Sequence, residues 1–330
     1  MVIYERSKTL LLIWFAMITL GSSVYFMFTN FGDSSLIDQS NNDEKNKGAK
    51  SFLSSVDYFY MEDEKPKLFL NGEILVMYEN GNTGKVITPN GMAYLGNDME
   101  IKYAANEGMW DRDKDLIELS GDVKMETVDS HIESNQAKYN LKKEILNYDG
   151  NVKTKTVSKE NGDTVFVNAD KATSWLNLKK SSFQDKVSGH IVRKRIYEEK
   201  VYFSSDLLNF DLFTHIIDLI GRVTIKHQQI TAEARKGEIH LKEYNKKLKY
   251  YALSDDVKLQ QNLMLSQNKK ITRRAFAERL EGIMSEEKII LTGNPKVFQE
   301  RDVVKGNRII LRGDTETVEV DDAITNVIVK

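Results

Sequence analysis

A small residue followed sixteen positions later by Gly, with the same apolar frame around each Gly, recurs along the chain: Ala105 to Gly121, Ser134 to Gly150, Ser205 to Gly221 and Ala277 to Gly293. Two more copies keep the spacing with Asp in the Gly slot, Ala169 to Asp185 and Gly306 to Asp322. A stretched copy runs from Ala234 to Asp255, and another ends at Asn71-Gly72. About eight units fill the chain from Val56 onward, and from Ala105 their start points are 29 to 43 residues apart. Repetition of this kind belongs to stacked sheets and solenoids rather than to folds built around one catalytic cleft.

Within each unit the frame reads apolar, any, apolar, any, Gly or Asp, any, apolar, as in Ile217-Asp218-Leu219-Ile220-Gly221-Arg222-Val223. Alternation of period two, rich in Val, Ile, Leu and Tyr, predicts half-buried strands. Ile217, Leu219, Val223 and Ile225 then share the inner face, and Asp218, Arg222 and Thr224 the outer one. The polar stretches 111–115, 141–144 and 285–288 read as hairpin turns joining paired strands. Asn-Gly pairs at 71–72, 80–81, 90–91 and 161–162 read as further hairpin turns. Pro295 lies inside a frame and is expected at an edge or bulge.

The Gly slot would face the apolar interior by strict alternation, yet Asp occupies it in several copies. An Asp in an apolar interior is costly, whereas Gly, Asn and Asp tolerate a left-handed backbone. The slot therefore predicts a bend or bulge, and a bulge repeated in register would curl the sheet into a folded trough.

Residues 9–28 form an uncharged apolar run of twenty residues, long enough to cross a bilayer core as a helix. Arg6 and Lys8 precede it and Asp33 and Asp38 follow, so the positive-inside rule places residues 1–8 in the cytoplasm and the bulk of the chain across the inner membrane, in the periplasm. A signal peptide cut near Gly21-Ser22-Ser23 is the competing reading, disfavoured because the apolar run continues past those residues. Residues 29–50 are polar and read as a flexible linker. The chain has no Cys, which excludes disulfides and a lipoprotein anchor. Lys and Arg number 47 against 49 Asp and Glu, a balance without the basic face that nucleic acid would require.

No nucleophile elbow, zincin or phosphate-loop motif is present, and His131, His190, His215, His227 and His240 lack ligand spacing. The chain is therefore read as a non-enzyme with no cofactor and no metal. The residues singled out are the inner stripe: Ile117, Leu119, Val123, Tyr148, Val152, Phe183, Val187, Ile217, Leu219, Val223, Ile289 and Leu291. Two roles stay open for each, contact with a bound lipid or packing in a closed core.

A charged N-terminus, an anchor, a polar tether and strand units such as Leu119-Ser120-Gly121-Asp122-Val123-Lys124 and Tyr148-Asp149-Gly150-Asn151-Val152-Lys153 resemble the LptC family of lipopolysaccharide-export proteins. The C-terminal part, with Leu291-Thr292-Gly293-Asn294-Pro295-Lys296-Val297 and Val304-Lys305-Gly306-Asn307-Arg308-Ile309, is similar to the related OstA-like (LptA) periplasmic bridge. The resemblance implies an all-β fold, a twisted open β-jellyroll after one transmembrane helix, with an LptC-like part over 51–200 and an OstA-like continuation over 201–330. It implies acyl chains of lipopolysaccharide in the trough, received from an inner-membrane ABC transporter and passed toward the outer membrane. Its implied partners are an LptA-like bridge or an outer-membrane translocon, joined by edge-strand pairing. The competing functional readings are a membrane-tethered β-solenoid scaffold and an envelope-glycan enzyme, the latter without a candidate carboxylate pair.

Overall fold

The computed structural model describes residues 49–62, 64–78, 81–95, 99–158, 162–193, 200–241, 250–264, 270–312 and 318–321. The apolar run at 9–28 and Asp322 lie outside them. No helix among the described residues is long and apolar enough to cross a membrane. Residues Lys50–Lys330 form one compact unit.

Among the described residues the strands form a single antiparallel sheet of 21 strands. The first six are β1 (Ala49–Glu62), β2 (Lys65–Tyr78), β3 (Thr83–Ile87), β4 (Asn90–Leu95), β5 (Met99–Ala104) and β6 (Glu107–Asp111). A long meander follows: β7 (Leu116–Glu126), β8 (Ser130–Asn140), β9 (Ile145–Val157), β10 (Thr164–Trp175), β11 (Lys180–Val192), β12 (Val201–Asp211), β13 (Ile216–His227), β14 (Ile230–His240), β15 (Tyr250–Met264) and β16 (Lys270–Ile283). The last strands are β17 (Lys288–Thr292), β18 (Lys296–Gln299), β19 (Asp302–Lys305), β20 (Arg308–Arg312) and β21 (Val318–Asp321).

Every strand of the meander is broken in the middle by a register shift, as at Ser120/Val123, Gln184/Val187, Ile220/Val223 and Ser254/Val257. The shifts line up across the sheet and divide it into two arms that meet at a crease. At the crease the backbone turns left-handed: Gly121, Gly150, Gly221 and Gly293 have φ between 75° and 77° or near it at 73° for Gly221, and Asp185 and Asp255 take the same role at 63° and 67°. The expectation of a bulge in the Gly slot is met, and Asp is admitted because the slot lies on the outside of the bend. Pro295 follows directly, in the gap between β17 and β18 where β16 changes partner.

The sixteen-residue spacing now has a geometric meaning. The small residue lies just before or within one strand and the Gly at the next crease along the chain, where the Gly faces the residue that follows the small one. A Cβ added at Gly221 would strike Asp206, and one at Gly150 would strike Asn135. Small residues are needed inside the bend, and where the residue is Ser it does more. Ser134 Oγ donates to the Gln136 carbonyl and Ser205 Oγ to the Leu207 carbonyl, both at 2.9 Å, serving acceptors beside the interrupted ladder. Outside the bend, polar pairs tie adjacent strands: Arg222 Nε donates to Asp206 Oδ1 at 2.8 Å, Lys186 reaches Asp170 at 3.0 Å and Lys236 reaches Asp255 at 2.9 Å.

Two of the Asn-Gly pairs are not hairpin turns. Asn71-Gly72 lies within β2 and Asn90-Gly91 within β4, facing one another where β2 changes partner from β4 to β3. The reason is close approach: a Cβ at Gly91 would run into the Phe69 carbonyl. The Asn side chains form a cross-strand relay, Asn90 Nδ2 to Asn71 Oδ1 at 3.1 Å and Asn71 Nδ2 to Asp57 Oδ1 at 2.8 Å. The turns expected at 111–115 and 141–144 are present, and residues 284–286 form a 3-10 turn closed by Glu287.

Gly221→Asn should therefore be tolerated better than Gly221→Val, which should cost about 1–2 kcal/mol or more from the left-handed backbone alone; urea denaturation of the pair checks the ordering. The Arg222 guanidinium holds the Asp206 carboxyl below the ordinary carboxylate range. The contribution of this pair is present above the ordinary pKa of Asp and is lost as pH falls through the lowered folded value. An NMR titration should give a low midpoint for Asp206 that returns to the ordinary range in Arg222→Gln.

Candidate apolar groove and its mouth

Alternation places one side chain in two on the concave face, and the register carries that choice from strand to strand. In the first arm a ladder runs Leu119, Ala137, Tyr148, Ala172, Phe183, Leu208, Leu219, Gly237, Leu253, Leu280, Leu291 and Ile309. In the second arm it runs Tyr103, Met125, Ile132, Thr154, Val167, Gly189, Phe203, Ile225, Ala232, Leu259, Ala275 and Val297. From Leu119 to Phe183 large and small residues alternate, so that Tyr148 stands between two alanines, and in the second arm the Phe203 ring covers Gly189.

All twelve stripe residues named from the sequence lie on this face. Eleven of them, Leu119, Val123, Tyr148, Val152, Phe183, Val187, Ile217, Leu219, Val223, Ile289 and Leu291, are at most 5% exposed and belong to one core cluster. Ile117 is half-buried and packs against that cluster. The arms touch across the interior: the Tyr148 hydroxyl in the first donates to Met125 Sδ in the second at 3.6 Å. Burial raises the pKa of the Tyr148 and Tyr251 hydroxyls far above the ordinary phenol value.

The rims are the two rows of turns farthest from the crease, and they differ along the groove. In its middle they are clasped. Arg193, at the second-arm rim, pairs with Asp163 at 3.2 Å with both side chains no more than 2% exposed, and donates to Met284 Sδ on the first-arm rim at 2.9 Å. At the end nearest β1 they part around a cavity of about 380 Å³. One side of it is built by Trp110, Arg112, Asp115, Tyr139, Leu141, Lys142 and Glu144 of the first arm and its turns, the other by Tyr58, Tyr60, Lys67, Leu68 and Tyr94. The Tyr58 and Trp110 rings meet at 5.6 Å. Burial raises the Tyr58 pKa and the nearby Arg112 charge opposes the rise.

Sequence reasoning missed both the clasp and the mouth. The stripe is periodic within each unit and could be found by alternation, but the mouth gathers strand and turn residues from separate units, a set that no period links. Among the described residues no three His, Asp or Glu side chains converge to hold a metal. What the arrangement offers chemically is a continuous apolar surface, reached between rims, with aromatic and charged groups where the rims part.

Comparison with known proteins bears on what such a surface is for. The family of LptC-related lipopolysaccharide-assembly proteins matches residues 15–180, and the family of LptA and LptD N-terminal-domain LPS transport proteins matches residues 131–317. Among solved structures the chain is similar to LptH of Pseudomonas aeruginosa, described as the LptA homologous periplasmic component of that organism's lipopolysaccharide transport device. The likeness is 13% identity and a TM-score of 0.33, over 37% of this chain and 82% of that one. No curated protein sequence matches. Each family match spans at least half of the chain and the two overlap within one sheet, so this protein belongs to the lipopolysaccharide transport families, LptC-related toward its N-terminus and LptA-like beyond.

Proposed function

We propose that the protein is an inner-membrane-anchored, periplasmic component of lipopolysaccharide export, taking acyl chains between its arms and passing them from an inner-membrane ABC transporter toward the outer membrane. The observation that carries the reading is the inner ladder, apolar at nearly every position from β7 to β20. A saturated chain laid along it loses about 0.8 kcal/mol of unfavourable water contact per methylene. A stripe of this kind binds by area, so no single residue is indispensable.

The arms are joined covalently through the crease and otherwise meet through side chains. Uptake of an acyl chain would spread them, exchanging one apolar contact for another, a swap of little net cost compared with exposing either surface to water. The edge strands supply a means of handing on. Among the described residues β21 pairs only with β20 and β19 only with β18, and β1 carries Phe52, Phe59 and Met61 more than half exposed. Free edges accept a further strand from another protein through main-chain hydrogen bonds. The same tight burial of the stripe favours the rival reading, an anchored scaffold whose core never opens.

Photocrosslinking residues at Leu119, Phe183, Leu219 and Leu291 in living cells decide between the two. Lipopolysaccharide adducts at several of these sites, dependent on ATP, are the expected result; crosslinks to protein alone would leave the scaffold. Leu219→Asp or Val223→Asp should cut adduct yield at the remaining sites far more than Asp218→Asn, which changes the outer face. A further expectation concerns the rims: Arg193→Cys with Met284→Cys, bridged by a short thiol-reactive linker cleavable by reductant, should abolish adducts beyond the clasp and recover them on cleavage, whereas undiminished adducts in the bridged protein would show that the arms need not part there.

A further inference from the structure

The mouth cavity is built unlike the groove it leads to. Groove residues are mostly aliphatic, uncharged and tightly packed, whereas the cavity collects four tyrosines and Trp110 beside five charged side chains. A purely apolar cargo would gain nothing from those charges, and their arrangement is selective. Three cations on nearby strands and turns are paired with acids: Lys85 with Glu107 at 3.0 Å, Lys114 with Asp111, and Lys138 with Glu118 at 2.9 Å. Arg112 and Lys142 form no ion pair among the described residues, although Asp115 and Glu144 line the same cavity. Both cations are exposed, on neighbouring turns, β6 to β7 and β8 to β9, at one side of the opening.

We propose that this cavity seats the phosphorylated sugar end of the amphiphile whose acyl chains enter the groove, an inference that rests on the transport reading above. Each group has a matching part. Guanidinium and ammonium groups bind phosphate through charge-assisted hydrogen bonds. Carboxylates accept from sugar hydroxyls or from an amide N–H. The faces of Trp110 and Tyr58 give the apolar side of a sugar ring a surface to lie on. At about 380 Å³ the cavity falls at the small end of ligand sites, suited to one or two sugar rings rather than to a whole lipid. Position completes the match: the half-buried Tyr60 and the buried Tyr139 line the cavity and also pack against or belong to the core cluster, so a headgroup held here would have its acyl chains at the start of the inner ladder.

The shared chemistry, a phosphate on a lipid headgroup, also occurs in anionic phospholipids, so the test separates the two sources. The full chain in detergent is titrated with diphosphoryl lipid A, the acylated glucosamine disaccharide of lipopolysaccharide, and with its dephosphorylated form; phosphatidylglycerol serves as competitor. The expected result is about a tenfold preference for the phosphorylated form, the size of one charge-assisted hydrogen bond. Arg112→Gln combined with Lys142→Gln should abolish the preference while leaving affinity for the dephosphorylated form within about twofold, and Lys114→Gln should keep it. Phosphatidylglycerol should compete poorly. No preference in the unaltered protein, a preference that survives the double substitution, or equal competition by phosphatidylglycerol would each overturn the proposal, and with adducts at Leu219 intact the transport reading would stand. If neither form of lipid A binds and no adducts form, that reading falls and the headgroup site falls with it.

Discussion

Everything in this sheet depends on a backbone that turns left-handed in every second strand of the meander, β7, β9, β11, β13 and β15, at the same height. A flat antiparallel sheet of this extent would present two faces, and the apolar one would have no cover. The aligned bulges fold the sheet onto itself, so that one face of each strand becomes interior on both sides of the crease. The cost is local and is met locally. Residues that accept positive φ hold the outside of the bend, alanine and serine leave room inside it, and the serines serve carbonyls beside the broken ladder.

How much of this could be read from the sequence follows from which features repeat. The crease could be foreseen because Gly and Asp alternate in one slot, and only a backbone requirement unites those two residues. The inner stripe could be foreseen because Ile217, Leu219 and Val223 keep step with Ile117, Leu119 and Val123. The Asn-Gly pairs at 71–72 and 90–91 misled, because the dipeptide marks a hairpin by its φ values and here the glycines answer to crowding instead. The clasp of Asp163, Arg193 and Met284 was out of reach: Arg193 and Met284 stand 91 positions apart, and neither belongs to the repeat. The mouth escaped for a related reason, being assembled from residues of five strands and two turns that lie far apart in the chain.

The contrast between clasp and mouth gives the groove a polarity that the repeat alone does not have. A stack of similar hairpins is nearly the same at every point along its length, and an apolar chain within it would feel no preferred direction. Asymmetry enters through residues outside the frame: Arg193, held in a buried ion pair with Asp163, reaches Met284 on the other rim in the middle, and aromatic and charged side chains line a cavity near β1. Direction in such a molecule is written in its turns, while capacity is written in its strands.

The in-register ladder also sets a scale. Neighbouring strands stand about 4.8 Å apart, so each hairpin added to the stack lengthens the interior by roughly 10 Å without altering its cross-section or its chemistry. The span bridged by one polypeptide thus grows in steps by duplication of a unit of some thirty-odd residues, about the mean interval between crease positions here. A chain of this construction measures distance by counting repeats.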